Sequence, residues 1–257
     1  RYWRDWSSDV CSSDSVGEQP ITHGLNRAPK GYEAKKKNFV AMVQYMDHLI
    51  GRITKKIDDL GIAEDTIIMF TADNGTNTGI RSQWDGREIK GGKAGMKDNG
   101  THVPFVARWK GHTPPGTVLP DLIDFTDFYA TLLDAAGTVK TSQEPFDGRS
   151  FFPQLNGEPG RLREWVLCHY QCYWNKKPGQ YARTARYKLY RDGRYYDVPV
   201  DLDEQQDLSE SANEEARQIR RELEYLLKQC PPVPQGAQSK DTLNRPLHPD
   251  VPQLLED

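Results

Sequence analysis

Residues 66–75 read TIIMFTADNG, and this run is the clearest indication of the fold class. The β-branched and apolar residues 66–71 are typical of a strand buried on both faces, as the strands of parallel sheets are. The triplet Asp73-Asn74-Gly75 follows at the carboxyl end of that strand. Because open α/β sheets bind ligands at the carboxyl ends of their strands, the run predicts an α/β domain with a candidate site at residues 73–75.

An amphipathic helix is predicted directly before this strand. Seven apolar residues recur at steps of four and three and form one stripe along a helix: Phe39, Val43, Met46, Ile50, Ile53, Ile57 and Leu60. Gly61 follows as a C-terminal stop. Residues 103–109 predict another strand, with Pro104 near its start, and residues 122–136 predict a helix that ends at Gly137. Helices that alternate with apolar strands favour an α/β architecture.

The character of the chain changes towards its C-terminal half. Aromatic runs at 165–170 and 187–190 predict short strands, and Asp192-Gly193 predicts a hairpin turn. Residues 211–229 predict a charged amphipathic helix. The predicted domains are therefore part of an α/β domain at 15–145, an α+β subdomain with a small antiparallel sheet plus a helix at 146–230, and an irregular proline-rich tail at 231–257.

The first fourteen residues, RYWRDWSSDVCSSD, differ from the rest of the chain. They have neither helical nor strand periodicity, and no apolar segment follows Arg1 and Arg4 as it would in a signal peptide. Residues 5–14 resemble the translation of a common sequencing adapter. We interpret residues 1–14 as an assembly artefact, with a genuine flexible N-terminal tail as the alternative.

The composition excludes several classes of protein. The chain has 257 residues, of which 36% are hydrophobic, and it contains no run of eighteen apolar residues, so no membrane span is expected. Its 34 basic and 37 acidic residues give a net charge of −3, which does not favour nucleic acid as a partner. Four cysteines are too few for a disulfide-dense scaffold.

Two loops carry residue types that bind ions. The carboxylate of Asp73 and the amide carbonyl of Asn74 are hard oxygen ligands that suit Ca²⁺ or Mg²⁺, although Asn-Gly also forms ordinary turns. Residues 90–95 read KGGKAG, and glycines beside a lysine allow close approach to an anion, with a flexible basic loop as the alternative. A second Asp-Asn-Gly at 98–100 is interpreted as a turn.

Six segments in this order resemble one known family. They are AMVQYMD at 41–47, GRI at 51–53, TIIMFTADNG at 66–75, GGK at 91–93, GTHVPF at 100–105 and ARYKLY at 185–190. Together they are similar to the C-terminal part of a formylglycine-dependent, arylsulfatase-like sulfatase of the bacterial, planctomycete type. The resemblance covers about residues 35–210 and implies a partial alkaline-phosphatase-like α/β sandwich.

The resemblance implies roles for particular residues. Asp73 and Asn74 match two ligands of the active-site Ca²⁺, for which Mg²⁺ is a possible substitute, and Lys93 matches the catalytic lysine that contacts the sulfate group. For His102, a substrate contact and a packing or loop-bracing role both stay open, and His169 is a candidate substrate contact where the C-terminal subdomain borders the pocket. The implied substrate is a sulfated small molecule or polysaccharide, and the implied location is periplasmic or secreted.

Other features of the family have no counterpart in these residues. The family's nucleophile is a hydrated formylglycine made from Cys or Ser in a C/S-x-P-x-R motif, and no such motif occurs in the 257 residues. The family's first metal-binding aspartate pair is also absent. We therefore expect the chain as written to be catalytically inactive, and we expect it to expose apolar surface that a complete sheet would cover.

Two other functions stay open from the sequence. One is a phosphatase, phosphodiesterase or phosphonate hydrolase of the same superfamily, although these enzymes often use histidine-rich two-metal sites and this chain has only six histidines. The other is a non-catalytic, Ca²⁺-dependent glycan-binding pseudoenzyme. The complete upstream reading frame distinguishes these functions, because it shows whether a C/S-x-P-x-R motif is encoded.

Overall fold

The computed structural model describes residues 31–138, 148–161, 163–170 and 178–230 of the chain. The chain divides into two compact units, residues 1–162 and residues 163–257. Each unit is described separately below. Within the described part of the chain, no helix combines the length and the apolar character needed to cross a membrane.

The first unit contains helices, a hairpin and a two-stranded sheet. Its elements in chain order are α1 (Tyr32–Asp59), a 3₁₀ turn (Ala63–Asp65), β1 (Ile67–Thr71), β2 (Arg81–Trp84), β3 (Arg87–Lys90), α2 (Asp98–Thr101), β4 (Phe105–Trp109), α3 (Asp127–Ala135) and α4 (Phe152–Leu155).

Helix α1 confirms the predicted amphipathic helix and its stop. Gly61 has a φ of 71°, its N–H donates to Asp58 O at 3.0 Å, and the N–H of Ile62 donates to Ile57 O at 3.3 Å. This pair of bonds is a Schellman motif, which favours glycine because the backbone there is left-handed. No residue of α1 is buried, so the apolar stripe of the helix stays largely exposed in this unit.

Strand β1 forms where the apolar run predicted it, but the predicted parallel pairing is wrong. β1 pairs with β4 in antiparallel register, with Ile67 opposite Trp109 and Thr71 opposite Phe105. All five residues of β1 are half-buried instead of buried. An apolar run indicates that a strand is suited to burial, but it does not fix the direction of the neighbouring strand. That direction depends on the segment that connects the two strands.

Helix α3 begins later than predicted, at Asp127 instead of residue 122. The side chain of Asp124 accepts a hydrogen bond from the Thr126 N–H at 2.9 Å, and the N–H of Asp124 donates to the Asp127 carboxylate at 2.8 Å. These local bonds hold residues 124–127 in a turn that competes with an extra helical turn. Asp127 is almost fully buried, and its carboxylate also accepts from the Arg149 N–H at 2.7 Å.

Three phenylalanines connect β4, α3 and the start of α4. The ring centroid of Phe105 lies 5.2 Å from that of Phe128 and 5.5 Å from that of Phe151, both in edge-to-face geometry. Such pairs contribute about 0.5–1.5 kcal/mol beyond the area that they bury. These aromatic contacts pack β4 against α3 and the start of α4.

The second unit is an antiparallel sheet with one covering helix, as the sequence predicts. Its elements are β5 (Val166–Tyr170), β6 (Gly179–Arg183), β7 (Tyr187–Tyr190), β8 (Tyr195–Asp197) and α5 (Glu214–Gln229), and the strand order is β5-β6-β7-β8. The Asp192-Gly193 turn joins β7 to β8, with Gly193 at a φ of 96°. Strand β6 is absent from the sequence-based prediction.

One face of this sheet packs against α5. Ala182, Leu189 and Tyr195 belong to one buried cluster together with Leu223 and Leu227 of the helix. The Tyr195 hydroxyl, which is fully buried, donates to the Ala216 carbonyl at 2.9 Å, so its polar end is satisfied inside the core. Asn213 caps α5, because its side-chain oxygen accepts a hydrogen bond from the Ala216 N–H at 3.0 Å.

The opposite face of the sheet holds a buried charged pair. Lys188 Nζ lies 2.9 Å from Glu204 Oε1, and the two side chains are 0% and 1% exposed. The Tyr190 hydroxyl donates to Glu204 Oε2 at 2.6 Å, and Lys188 Nζ lies 4.1 Å from the centre of the Tyr181 ring. Burial and the neighbouring carboxylate raise the pKa of Tyr190 far above its usual value, so its hydroxyl stays protonated as a donor.

Candidate functional site

Asp73 and Asn74 lie just beyond the end of β1, as the sequence predicts. Asp73 is exposed and Asn74 is half-buried. The next residue fixes the loop, because the Gly75 N–H donates to the Gly100 carbonyl at 2.9 Å. A Cβ atom on Gly75 would lie 1.9 Å from the backbone oxygen of Asn99. Only glycine allows this approach, so the first Asp-Asn-Gly segment contacts the second through its backbone.

The glycine-lysine loop lies against the same segment. The Lys93 N–H donates to the Thr76 carbonyl at 2.9 Å, two residues after Asn74. A Cβ atom on Gly91 would lie 2.1 Å from the carbonyl oxygen of Asn77, and one on Gly92 would meet the Asn99 side chain at the same distance. The glycines of this loop therefore serve close packing of backbone, which positions Lys93 beside the Asp73–Asn74 loop.

The second Asp-Asn-Gly does more than the turn that the sequence predicts. Residues 98–101 form the short helix α2, and the Asn99 side chain donates to the Lys90 carbonyl at 3.0 Å. A Cβ atom on Gly100 would lie 2.4 Å from the Gly95 carbonyl oxygen. Asn99 and Gly100 thus brace both the loop that follows Asn74 and the glycine-lysine loop. The repeated triplet beside glycine-rich sequence is the signal that could have indicated this role.

The side chains of Asp73, Asn74 and Lys93 are available to a ligand. In the described ranges, no hydrogen bond or ion pair engages any of these three side chains. Two hard oxygen donors fit part of the coordination sphere of Ca²⁺, which takes six to eight oxygen ligands. No cluster of three or more His, Cys, Asp or Glu side chains occurs among the residues that the structure describes. By their chemistry alone, Asp73 and Asn74 are therefore candidates for part of a metal site and do not complete one by themselves.

His102 belongs to the same loop cluster as Asp73, Asn74 and Lys93. It follows α2 directly, its side chain is 77% exposed, and its Nδ1 lies 3.8 Å from Asp98 Oδ2. Its backbone N–H donates to the Asp98 carbonyl at 2.8 Å, which fixes the start of the loop that leads to β4. The backbone of His102 is therefore fixed, and its imidazole ring is open to solvent.

His169 lies in the second unit, on β5, with its side chain exposed. Strands β5 and β6 and the residue after β7 place it in a row with Gln180 and Arg191, because His169 and Gln180 are register partners and the Arg191 N–H donates to the Gln180 carbonyl. The Gln180 amide lies 3.0 Å from His169 Nδ1, and Gln180 Oε1 accepts from the Arg191 guanidinium at 2.5 Å.

This row determines which His169 nitrogen carries the proton. A guanidinium has no acceptor, so the Gln180 atom facing Arg191 is the amide oxygen, and the atom facing His169 is the amide nitrogen. His169 Nδ1 is therefore an acceptor, and Nε2 carries the proton. Arg191 is itself fixed by donating to the carbonyls of Leu227 and Cys230 at the C-terminal end of α5, at 2.9 and 3.1 Å.

The α/β architecture is that of the alkaline-phosphatase-like fold class, which solved structures share. Family models identify the chain further. A model of the sulfatase family matches residues 7–138, and a model of the C-terminal region of N-sulphoglucosamine sulphohydrolase matches residues 92–230. The chain belongs to the sulfatase family.

Curated relatives agree with this assignment. The chain is 31% identical to steryl-sulfatase of Mus musculus over 134 residues, which is 50% of this chain and 22% of that protein. It is 32% identical to arylsulfatase D of Homo sapiens over 163 residues, or 61% of this chain and 26% of that protein. The chain therefore spans about a quarter of the length of the curated relatives it matches.

Solved structures share the fold. One, a protein in complex with its substrate D-glucosamine-2-N,6-O-disulfate, matches with a TM-score of 0.60 at 25% identity, over 77% of this chain and 40% of that chain. Another, a 2-O glycosaminoglycan sulfatase, matches with a TM-score of 0.59 at 19% identity, over 88% of this chain and 57% of that chain.

Proposed function

We propose that this chain is part of a sulfuric ester hydrolase that cleaves sulfate monoesters, and that it carries half of the metal site and the lysine that grips the sulfate. One observation supports this most directly. The hydrogen bond from the Lys93 N–H to the Thr76 carbonyl holds the backbone of the lysine loop against the segment that follows Asp73 and Asn74. A cation site next to an ammonium group suits an oxyanion substrate.

The residues divide the work by charge. The carboxylate of Asp73 and the amide oxygen of Asn74 would hold Ca²⁺, or Mg²⁺ in its place. The metal, when bound, supplies Lewis-acid polarisation of the sulfate oxygens. Lys93 donates hydrogen bonds to a sulfate oxygen or to the ester oxygen that leaves.

Lys93 contributes most when negative charge develops. As the S–O ester bond breaks, negative charge grows on the leaving oxygen, and an ammonium held in place stabilises that charge without reorganisation. The close-packed glycines at 91 and 92 and the brace from Asn99 fix the backbone that carries Lys93. We infer that this fixed backbone keeps Lys93 at the site before substrate binds.

The nucleophile is not supplied by these residues. We propose that a formylglycine, made in a C/S-x-P-x-R motif of the longer protein, attacks the sulfur, and that residues 1–257 alone are inactive because no such motif occurs among them. Turnover of an aryl sulfate by the purified chain would contradict this part of the proposal.

A sulfated glycan is the proposed substrate class. The support is similarity of fold or sequence to two proteins. One was solved with D-glucosamine-2-N,6-O-disulfate, and the other is an ulvan-active sulfatase of Formosa agariphila. We propose His102 and His169 as substrate contacts, with the Nε2–H of His169 as a donor to a sugar hydroxyl or sulfate. A periplasmic or secreted location fits such a substrate.

Metal binding by the chain tests the first half of the site. Calorimetric titration with Ca²⁺ of the longer protein that contains this chain should show binding that Asp73→Asn or Asn74→Ala weakens by at least about tenfold. Asp134→Asn is the matched control, because Asp134 is also exposed and belongs to α3. Equal Ca²⁺ affinity in Asp73→Asn and Asp134→Asn would exclude Asp73 as a ligand.

The activity of the protein that the longer reading frame encodes tests the role of Lys93. If that frame encodes C/S-x-P-x-R, Lys93→Ala should lower kcat for 4-nitrophenyl sulfate by about 10²–10³-fold, while Lys56→Ala on the exposed side of α1 leaves it unchanged. Preference for 4-nitrophenyl phosphate over the sulfate would favour the phosphatase alternative. A frame without the motif would favour the glycan-binding pseudoenzyme.

A further inference from the structure

The β2–β3 hairpin presents an aromatic ring and a cation together at its tip. Trp84 and Arg87 are direct register partners, so both side chains point to the same face of the hairpin. Asp85 and Gly86 form the turn with φ values of 49° and 73°, the left-handed pattern of a tight hairpin turn. Trp84 is 60% exposed, and the Arg87 guanidinium lies 5.7 Å from its ring centre.

The base of the hairpin is tied to the candidate active site. The Gly91 N–H donates to the Ile80 carbonyl at 2.9 Å, and the Ile80 N–H donates to the Asn77 carbonyl at 3.0 Å. Ile80 is buried, so this end of the hairpin is fixed. Four strand residues at about 3.4 Å each then place the tip roughly 14 Å from the loop that carries Lys93. That distance suits a sugar unit a few positions further along a chain substrate.

The charges on the hairpin single out Arg87. On the opposite face, Arg81 is paired with Glu88 at 2.5 Å, so its charge is largely compensated. Arg87 has no carboxylate partner among the described residues. A planar guanidinium binds sulfate through two parallel hydrogen bonds, and an exposed indole offers a flat apolar surface to the C–H face of a sugar ring. Together they suit a ring that carries a sulfate group.

We propose that Trp84 and Arg87 form a second glycan-binding subsite, which contacts a sulfated sugar unit a few positions along the chain from the one whose sulfate is cleaved. The inference rests on the proposed function for its choice of ligand. The cross-strand contact also stabilises the hairpin, but that role needs neither an indole nor an unpaired cation. The subsite accounts for both side chains.

Binding of a sulfated polymer by residues 1–257 tests the subsite without catalysis. The probe is dextran sulfate of defined length, and unsulfated dextran is the comparison, with dissociation constants measured by affinity electrophoresis. Trp84→Ala should weaken dextran sulfate binding about three- to tenfold and Arg87→Gln about tenfold. Trp84→Phe, which keeps an aromatic face, should restore part of the loss. Tyr225→Ala removes a 64%-exposed aromatic side chain on α5 and should change nothing.

Several outcomes would overturn the subsite. Wild-type affinity in both Trp84→Ala and Arg87→Gln would do so, as would equal binding of unsulfated dextran. Equally tight binding of single-stranded DNA, lost in the same variants, would show a general polyanion surface instead. The proposed function is judged separately, because Asp73→Asn and Lys93→Ala are tested with Ca²⁺ and with aryl sulfate, neither of which reaches the hairpin tip.

Discussion

The two units of the chain differ in how they bury their side chains. The second unit has twelve buried apolar residues among 61 described residues, whereas the first has five among 122. Helix α5 buries Ala216, Leu223 and Leu227, but the longer helix α1 buries none of its residues. The candidate chemistry of residues 73–102 lies in the unit with the sparser core.

This difference shows that two kinds of packing act in one chain. In the second unit, side chains interlock across a four-stranded sheet and a helix. In the first, the most crowded contacts are between backbones, at Gly75, Gly91 and Gly100. Backbone packing positions loops for binding, but it removes little apolar surface from water, so it contributes less to the free energy of folding.

Separating the units is the strongest test of this contrast. Residues 163–257 expressed alone should unfold in one cooperative thermal transition, because they contain a continuous core. Residues 1–162 alone should bind a dye such as ANS and unfold without a sharp transition, because the α1 stripe is exposed. Circular dichroism and dye fluorescence measure both properties. A sharp transition in residues 1–162 would show that this unit stabilises itself by contacts other than apolar burial.

The buried ion pair of the second unit should be far more sensitive than a surface pair of the first. Glu204→Gln leaves the Lys188 charge buried without its counter-ion, and such changes cost about 3–5 kcal/mol. Asp59→Asn breaks the pair that Lys55 and Asp59 form at 2.7 Å with both side chains more than half exposed. Its expected cost is below about 0.5 kcal/mol.

Urea unfolding of the full chain, followed by far-ultraviolet circular dichroism, measures both variants. A double variant, Glu204→Gln with Lys188→Met, should recover much of the lost stability, because it removes the uncompensated charge. If the double variant is no more stable than Glu204→Gln, the loss arises from packing or from the Tyr190 hydrogen bond instead of the buried charge.

Truncating equivalent apolar positions on two helices compares the cores directly. Leu223 on α5 is 1% exposed, and Ile53 on α1 is 58% exposed. Leu223→Ala should lower the free energy of unfolding by about 2–4 kcal/mol, whereas Ile53→Ala should lower it by less than about 0.5 kcal/mol. Chemical denaturation gives both values. A large loss in Ile53→Ala would mean that another surface covers the α1 stripe in solution.

Local sequence patterns were sufficient for much of the fold. The steps of four and three between Phe39 and Leu60 predicted α1, and Gly61 and Gly137 marked the ends of their helices. The apolar run at 66–71 predicted β1, and Asp192-Gly193 predicted the β7–β8 hairpin. These features depend on neighbours within a few residues, so the sequence carries them directly.

Pairing that depends on distant residues was not predictable in the same way. The direction of β4 against β1 is set over the whole connection between them, and the apolar run does not record it. The β2–β3 hairpin was missed because residues 81–90 are nearly all polar or charged and exposed, so no burial pattern marks the strands. Only the Asp85-Gly86 turn signals this hairpin, and that signal was overlooked.

The candidate site shows the same division. Residue chemistry and family resemblance pointed to Asp73, Asn74 and Lys93, and the structure places their loops side by side. The bracing role of Asn99 was missed, because a short Asp-Asn-Gly segment has turn propensity wherever it occurs. Hydrogen bonds from Gln180 to His169 and from Arg191 to Gln180 connect β5, β6 and the residue that follows β7. No spacing in the sequence reveals these contacts.

One aspartate in each unit has a lowered pKa, and the two should respond differently to pH and salt. Burial raises the pKa of Asp207, but hydrogen bonds from the N–H groups of Ser209 and Tyr195, at 2.9 and 3.1 Å, outweigh it and lower the pKa below its usual value. A lowered native pKa means that Asp207 stabilises the fold above the unfolded pKa of about 3.9, and that this contribution is lost as pH falls through the native value. Asp207→Asn keeps an acceptor oxygen but removes the charge.

At pH 7, Asp207→Asn should cost about 0.5 kcal/mol, since solvent screens this exposed group, and the difference from wild type should vanish once the pH falls below the lowered native pKa of Asp207. In the first unit, the Arg108 guanidinium lowers the pKa of Asp58 through a hydrogen bond at 2.8 Å. Any effect of Asp58→Asn should disappear in 1 M NaCl, whereas that of Asp207→Asn should persist, because bonds to backbone N–H groups depend less on salt. Equal salt sensitivity in the two variants would mean that Asp207 acts through the charge of Arg194 and not through the backbone.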